Sequence, residues 1–218
     1  MYAVNVKFNC ALQQRDWPVP RVLTETDISG FRDKLCETAT RLFIERGPEN
    51  FNMRLLASEL GVSAMTPYRY FRDKDEILSL IRARAFARLA DQLEQALEMP
   101  GALPERGAAV SRAYVRFALE EQTCYRLIFD FAEPRNAAAP ELAEAEARAR
   151  AAMTDHVRLM VEHGYYKGDP DLIGHVVWAS LHGLIVLHLA GKLDGDFETV
   201  LAELCRVLED AYRVRTHA

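Results

Sequence analysis

Apolar residues recur at helical spacing along almost the whole of this 218-residue chain, and mainly Gly and Pro interrupt the pattern. Phe31, Leu35, Ala39, Leu42 and Phe43, for example, fall at i, i+4, i+8, i+11 and i+12, which is one face of a helix. We find no segment with the alternation of a half-buried strand. The sequence therefore predicts an all-α protein of about nine helices.

Capping residues, glycines and prolines predict where these helices begin and end. Ser29 is expected to cap the first helix and Gly47 to end it. Asn52 is expected to open a short second helix, and Asp73 with Glu76 resembles the capping box of a long one. The helices expected after the first span about 53–60, 64–70, 74–98, 105–121, 123–131, 141–163, 171–190 and 197–213.

Charge divides the chain into two parts of opposite sign. The net charge of −5 would argue against a nucleic-acid partner if it were evenly spread. Residues 1–88, however, carry 14 Lys and Arg against 11 Asp and Glu, a net charge of +3, whereas residues 89–218 carry −8. With Pro18 and Pro20 in the first stretch, we predict a loose arm at 1–27, a small helical domain at 28–88 and a larger one at 89–218.

Residues 53–71, MRLLASELGVSAMTPYRYF, are the most informative stretch. They predict two short helices joined by a turn in which Gly61 supplies a positive φ. Two such helices held by a third form a helix-turn-helix, whose second helix enters the major groove of DNA. Because short helices gain little from their own hydrogen bonds, the neighbouring long helices must hold this pair in place.

Side chains that suit a phosphate backbone cluster on and beside the second of these helices. Hydroxyl groups and Arg commonly donate to phosphate oxygens, and Arg also binds guanine edges. Lys74 stands in the first turn of the next helix, where a cation costs about 0.3–1 kcal/mol unless an anion binds there. Arg54 and Arg69 are the expected base contacts. The full predicted DNA-binding set is Arg54, Ser63, Thr66, Tyr68, Arg69, Tyr70 and Lys74.

This stretch resembles the DNA-binding domain of the tetracycline-repressor (TetR/AcrR) family of bacterial transcription regulators. The resemblance covers residues 29–80: an amphipathic helix ending in ERG, then LLASELGVS, then YRYFRDKDEIL. The phosphate contacts that it implies are Thr66, Tyr68, Tyr70 and Lys74. The common pattern has Gly and Leu where this chain has Met65 and Pro67. Because Pro lacks an N–H and is tolerated only near a helix start, the recognition helix is expected to begin late.

The acidic part carries a second, weaker signature. Trp178, His182 and Gly183 form W-x-x-x-H-G, which is similar to the C-terminal regulatory domain of one TetR subgroup. The alternative is a core Trp beside a hydrogen-bonded His. The resemblance also implies a cavity for a small-molecule effector, lined mainly by aromatic residues. The alternative is that these aromatic residues are part of the plain core. The expected lining residues are Tyr114, Phe117, Tyr125, Phe129, Met160, Trp178 and His182.

Residues 172–191 contain no Asp, Glu, Lys or Arg, and twenty such residues are enough to cross a bilayer. They also contain three His and three Gly, and no basic cluster flanks them. A helix that is apolar all round is equally suited to a protein core or an oligomer interface, so no membrane partner is expected. Since TetR proteins dimerise through their last two long helices, the resemblance implies a homodimer through the helices at 171–190 and 197–213.

Enzyme and metal signatures are not found in the sequence. It has no HExxH, GxSxG, P-loop or GxGxxG motif, and no Cys or carboxylate is spaced with the histidines as in a metal site. The four Cys show neither disulfide nor redox spacing, which fits a reducing cytoplasm. We therefore expect no catalytic residue, no metal and no cofactor.

These observations predict a cytoplasmic, homodimeric transcription regulator that binds a palindromic operator in double-stranded DNA. We expect a repressor that an unknown small-molecule ligand releases from DNA, with DNA binding in 28–88 and ligand binding and dimerisation in 89–218. The alternatives are a helical protein-interaction module and a ligand sensor that does not bind DNA. The positive charge of residues 1–88 disfavours both without excluding either.

Overall fold

The computed structural model describes residues 25–47, 49–130 and 140–214, so most of the expected arm at 1–27 lies outside the described residues. The described part confirms the all-α prediction, with eight α-helices, one turn of 3₁₀ helix and no strand. The α-helices are α1 (Glu25–Arg46), α2 (Met53–Glu59), α3 (Lys74–Glu98), α4 (Leu103–Glu120), α5 (Gln122–Phe129), α6 (Pro140–Glu162), α7 (Pro170–Leu189) and α8 (Phe197–Tyr212).

Local capping signals predicted most helix ends correctly. Asn52 Oδ1 accepts a hydrogen bond of 2.9 Å from the Leu55 N–H at the start of α2, and Gly47 ends α1 with a φ of 78°. The prediction that Ser29 caps α1 is wrong, because the helix begins at Glu25. The apolar repeat starts only at Phe31, so it does not mark the polar turn that precedes it.

Helix α3 joins the small and large helical parts of the molecule. It packs against α1, α4, α5 and α6, and its buried residues include Ile77, Leu89 and Leu93. They belong to a continuous apolar core that runs from Leu35 in α1 to Phe197 in α8. The expected boundary between residues 88 and 89 falls inside this unbroken helix.

Ion pairs tie α3 to its neighbours on both sides. Arg84 in α3 donates to Asp33 in α1 at 2.8 Å. Arg148 in α6 lies 2.7 Å from Asp91 and also pairs with Glu94, both in α3. Because these side chains are exposed, each pair stabilises the fold only slightly, but together they fix how α3 sits against α1 and α6.

Helix α7 is the one helix in the described part that is long and apolar enough to cross a membrane. Only 28% of its most apolar window is buried within the chain. Leu172, Val186, Leu187 and Leu189 are exposed along it, and Val207 is exposed on the neighbouring α8. The described residues therefore leave much of this apolar helix uncovered.

Candidate DNA interface and regulatory core

Helix α2 is the first half of the predicted helix-turn-helix. Met53, Leu56 and Ala57 are buried, which leaves Arg54 on the exposed side. Gly61 follows with a φ of 65°, a left-handed conformation that other residues adopt at a cost. This turn directs the chain from α2 toward the recognition segment.

The recognition segment is shorter than predicted. In place of a helix at about 64–70, the structure has a single 3₁₀ turn at Pro67–Arg69. Pro67 begins that turn, which confirms the late start. The Pro67 carbonyl accepts hydrogen bonds from both Tyr70 N–H and Phe71 N–H at 3.0 Å, and the chain then turns into the cap of α3. The chain passes from this turn through Phe71 to the Asp73 cap of α3, so the recognition segment contains no longer helix.

The predicted DNA-binding residues differ in their exposure. Arg54, Ser63, Arg69 and Lys74 are exposed, and Tyr68 is 45% exposed. Thr66 and Tyr70 are half-buried, and the Tyr70 ring packs 5.2 Å from the Phe31 ring of α1. Ser63 Oγ already accepts a bond of 3.3 Å from Met65 N–H. Tyr70 and Ser63 therefore also shape the segment, whereas Tyr68 and the basic side chains are available to a partner.

Two exposed residues of this surface were missed by sequence reasoning. Met65 is 67% exposed, so the position where the TetR pattern has Gly presents an apolar side chain. The Arg72 side chain is 79% exposed, and its Nε donates to Asp73 Oδ2 at 3.0 Å. The signal for Arg72 was its place between the recognition segment and Lys74.

The start of α3 is capped by the chain's own carboxylates. Asp73 Oδ1 accepts from Glu76 N–H at 2.9 Å, and Glu76 Oε2 accepts from Arg72 N–H at 2.6 Å. The Glu76 N–H and then the Arg72 side chain lower the pKa of Asp73, so it remains ionised. A phosphate would compete with these carboxylates for the helix terminus. The Lys74 ammonium is thus the better phosphate ligand there than the backbone N–H groups.

The larger helical part contains a buried polar network around His182. Trp178 Nε1 donates to Tyr114 Oη at 3.0 Å. Tyr125 Oη lies 2.7 Å and Tyr114 Oη 3.2 Å from His182 Nδ1. Burial lowers the pKa of His182 and raises the pKa of Tyr114 to about 12, so the imidazole and the phenol are neutral near pH 7. The short contact therefore joins a neutral hydroxyl of Tyr125 to a neutral ring.

Trp178 and His182 both contact Tyr114, so these two residues of the W-x-x-x-H-G signature lie on one face of α7, as their spacing of four requires. Phe129 completes the cluster, with its ring 4.8 Å from His182. A Cβ added at Gly183 would meet nothing within 4 Å, so no described helix packs closely on this glycine. The cluster equally fits a core Trp beside a hydrogen-bonded His, and its role in ligand binding stays a prediction.

A cavity of about 180 Å³ lies beside this network, between α4, α6, α7 and α8. Met160 is the one predicted ligand residue on its wall. Tyr114 and Trp178 border an adjoining void of about 20 Å³, and Phe117 is fully buried in the core. His156 borders both spaces and was missed, although it is a polar residue within the apolar stripe of α6.

Within the described ranges, no three His, Cys, Asp or Glu side chains lie close enough to hold a metal ion. A short helix-turn-helix segment with exposed Arg, Lys and Tyr, held by α1 and α3 on a helical body, defines a DNA-binding transcription regulator.

Two models of one protein family match this chain. Residues 35–81 match the model described as bacterial regulatory proteins, tetR family, and residues 108–211 match the tetracyclin repressor-like C-terminal domain. Together they cover more than half of the sequence. The chain therefore belongs to the TetR family of helix-turn-helix transcriptional regulators, in which ligand-responsive repression and dimers are typical, and which are generally not enzymes.

Individual relatives agree with this assignment. The chain is 23% identical over 196 residues to the HTH-type transcriptional regulator Rv1816 of Mycobacterium tuberculosis, covering 76% of this chain and 83% of that protein. A protein of unknown function from Rhodococcus sp. RHA1 superposes with a TM-score of 0.72 at 29% identity, over 84% of this chain and 95% of that one. A putative TetR-family regulator from Vibrio parahaemolyticus gives 0.68 at 25% identity, over 84% and 99%.

Proposed function

We propose that this protein is a homodimeric, cytoplasmic repressor that binds a palindromic operator and is released from it by a small-molecule effector. The observation that carries the proposal is the exposed surface around the recognition turn. There Tyr68, Arg69 and Lys74 have no hydrogen-bond partner for their side chains among the described residues, on the part of the chain with net positive charge.

The contacts are assigned by exposure and position. Tyr68 and Lys74 bind phosphates, because one projects from the recognition turn and the other stands at the start of α3. Arg54 and Arg69 reach the base edges, since Arg is the side chain best suited to guanine. Thr66, Tyr70 and Ser63 support the recognition turn, and they contact the DNA backbone from the edge of this turn.

The dimer is proposed to form through the exposed faces of α7 and α8. Val186 and Leu187 are 44% and 47% exposed on a helix that carries no Asp, Glu, Lys or Arg from Leu172 onward. Contiguous exposed apolar surface of this kind marks an interaction site. Gly183 lies on the same exposed side, with open space above it for a second copy of α7.

A dimer makes ligand control geometrically simple. Two recognition turns must lie about 34–36 Å apart to reach successive major grooves. An effector that binds more tightly to a dimer with a different spacing would lower operator affinity. The size of this effect is set by the difference between its affinities for the two forms of the dimer. Helix α3 extends from the recognition turn to the body, so a shift of α6 would reach the DNA surface through it.

The test is a selection of bound duplexes from a random library, followed by band-shift titration of the selected operator. We expect Tyr68→Ala plus Lys74→Ala to weaken binding by roughly a hundredfold, since each removes a contact worth about 1–1.5 kcal/mol. The slope of log affinity against log salt should fall by about 0.9 for the lost lysine contact.

The matched control is Tyr165→Ala plus Lys167→Ala, which removes a similarly exposed Tyr and Lys from the body. This variant should bind the operator like the wild type. Equal loss in both double variants would refute the assigned surface, and failure to select any duplex would favour a protein-interaction module.

Val186→Glu should convert the dimer to monomer in light-scattering chromatography and weaken operator binding at the same time. Val214→Glu is its control, because Val214 is also exposed but lies beyond α8. A Val186→Glu protein that remains dimeric would contradict the proposed interface.

A further inference from the structure

The effector site itself is marked by a buried histidine outside the aromatic network. We propose that the effector binds in the cavity between α4, α6, α7 and α8, and that it is an uncharged molecule the size of one aromatic ring with a single hydrogen-bonding group for His156. This inference rests on the proposed function and names the ligand class of its regulatory site.

His156 carries a buried polar atom that lacks a partner among the described residues. It is 6% exposed, and its Nδ1 atom is buried without a hydrogen bond. Buried polar atoms in folded proteins are nearly always hydrogen-bonded, so each exception needs an explanation. His156 borders the cavity, so a rotation of its ring would bring this nitrogen to a ligand group placed there.

The size and lining of the cavity fit one small ring. Its volume is about 180 Å³, and an engineered apolar cavity of roughly 150 Å³ is known to accept benzene. Val115, Val157, Met160 and Leu181 form apolar walls around the histidine. These walls would contact the ring while His156 orients its polar substituent.

The charges around the cavity favour a neutral ligand. Arg112 and Glu209 stand at its exposed rim with opposite signs, and Ser111 and Tyr166 add only hydroxyl groups. Burial lowers the pKa of His156 to about 4, so the ring is uncharged near pH 7. Neither the deep part of the cavity nor its rim therefore offers a net charge to pair with an ionic ligand.

The aromatic network around His182 is the weaker candidate for this contact. His182 Nδ1 already has Tyr125 Oη at 2.7 Å, and Trp178 Nε1 already donates to Tyr114. A ligand there would have to displace existing hydrogen bonds. His156 offers an atom that no bond occupies.

The cavity also lies where a ligand could alter the dimer. Leu201 and Leu208 of α8 and Val177 of α7 form part of its wall, and these two helices carry the exposed apolar face. Its opposite wall belongs to α6, which packs on α3. A ligand in the cavity would therefore affect both the dimer face on α7 and α8 and, through α6, the helix α3 that leads to DNA.

The experiment uses phenol, benzene and benzoate as probes with the full-length protein, read by calorimetry. We expect phenol to bind the wild type more tightly than benzene or benzoate. His156→Leu should lose roughly five- to tenfold in phenol affinity, the worth of one hydrogen bond, and keep its benzene affinity. Unchanged benzene binding also shows that this variant retains the folded cavity.

The matched control is His163→Leu on the same helix, because His163 is exposed and its Nδ1 lies 2.9 Å from the Leu159 carbonyl oxygen. It should bind all three probes like the wild type. Val157→Phe, which fills the cavity, should abolish phenol and benzene binding together. Phenol binding that is equal in wild type and His156→Leu, or that survives Val157→Phe, would overturn the proposal, as would no phenol binding at its solubility limit.

The effector role has its own measurement. Saturating phenol should weaken operator binding of the wild type and of His163→Leu but act less on His156→Leu at the same concentration. Phenol that fills the cavity without changing operator affinity would refute the effector role. If the protein selects no operator, the proposed function fails, but the calorimetric comparison still decides what the cavity binds.

Discussion

The two parts that α3 connects use their polar side chains in opposite ways. In the head, defined as residues 25–73, the side chains of Tyr68 and Arg69 are exposed and have no partner among the described residues. In the body, defined as α4 to α8, the buried Tyr114 and Tyr125 are hydrogen-bonded to the half-buried His182. The head thus presents its chemistry to another molecule, whereas the body uses most of its polar groups internally.

The difference also appears in what holds each part together. The head has a seven-residue α2 and one 3₁₀ turn, which cannot be stable alone. The body has four longer helices and α5 around its buried network. Since one continuous core includes Leu56 of the head and Leu184 of the body, the two should unfold together.

The largest expected effect comes from removing a core contact of the head. Leu56→Ala should lower the free energy of unfolding by about 2–5 kcal/mol, because Leu56 is fully buried in the apolar core and α2 packs on α1. Urea unfolding followed by circular dichroism measures the change. The half-buried Leu60→Ala is the control and should lose less. Two separated transitions would show that head and body are independent units.

The pH dependence of stability tests whether His156 is a buried neutral ring, unlike the hydrogen-bonded polar groups elsewhere in the body. The folded pKa of His156, about 4, lies below its ordinary value of 6.5, so the unfolded chain takes up a proton first as the pH falls. Stability is full above about pH 6.5 and declines toward pH 4, by at most on the order of 3 kcal/mol from this group. His156→Leu should remove that part of the decline, and His163→Leu should not. A wild-type and His156→Leu difference that stays constant from pH 7 to pH 4.5 would contradict the buried neutral ring.

A smaller effect is expected at the cap of α2. Asn52→Ala should destabilise the protein by roughly 0.5–2 kcal/mol, because it removes the acceptor of the Leu55 N–H bond. Ser58→Ala, at an exposed site in the same helix, should leave the midpoint of urea unfolding nearly unchanged. Equal midpoints for both variants would mean that the cap contributes nothing to holding the head.

The smallest effect compares one hydroxyl from each part. Tyr125→Phe should cost about 0.5–1.5 kcal/mol of stability, since it removes the 2.7 Å contact with His182. Tyr68→Phe should not change stability but should weaken operator binding in the band shift. The reverse pattern, a destabilised Tyr68→Phe and a neutral Tyr125→Phe, would overturn the distinction between an outward-facing head and an inward-facing body.

Local sequence signals predicted the parts of this structure that depend on near neighbours. The caps at Asn52 and Asp73 and the positive φ of Gly61 each follow from residues within one turn. The pairing of Trp178 with His182 on one face follows from their spacing of four. The N-terminal turn of α1 was missed because it adds no apolar residue to the repeat.

The features that sequence reasoning missed depend on contacts between distant segments. Pro67 predicted a late recognition helix, but its reduction to one 3₁₀ turn also depends on where the Asp73 cap begins α3. The cavity was expected at the aromatic residues; Phe129 and Trp178 do border one groove, and a second cavity opens nearby at His156. Spacing along one helix does not reveal which polar atom another helix will satisfy.

The sequence by itself determined the helical class, the helix-turn-helix and the division of charge, because periodicity, turn chemistry and composition are local properties. Tertiary structure alone decided that Tyr114 and Tyr125 meet His182 across 68 and 57 residues, and that Nδ1 of His156 has no partner in the described part of the chain. Those outcomes depend on how α4, α5, α6 and α7 pack, since a buried side chain can bond only to what the neighbouring helices bring within reach.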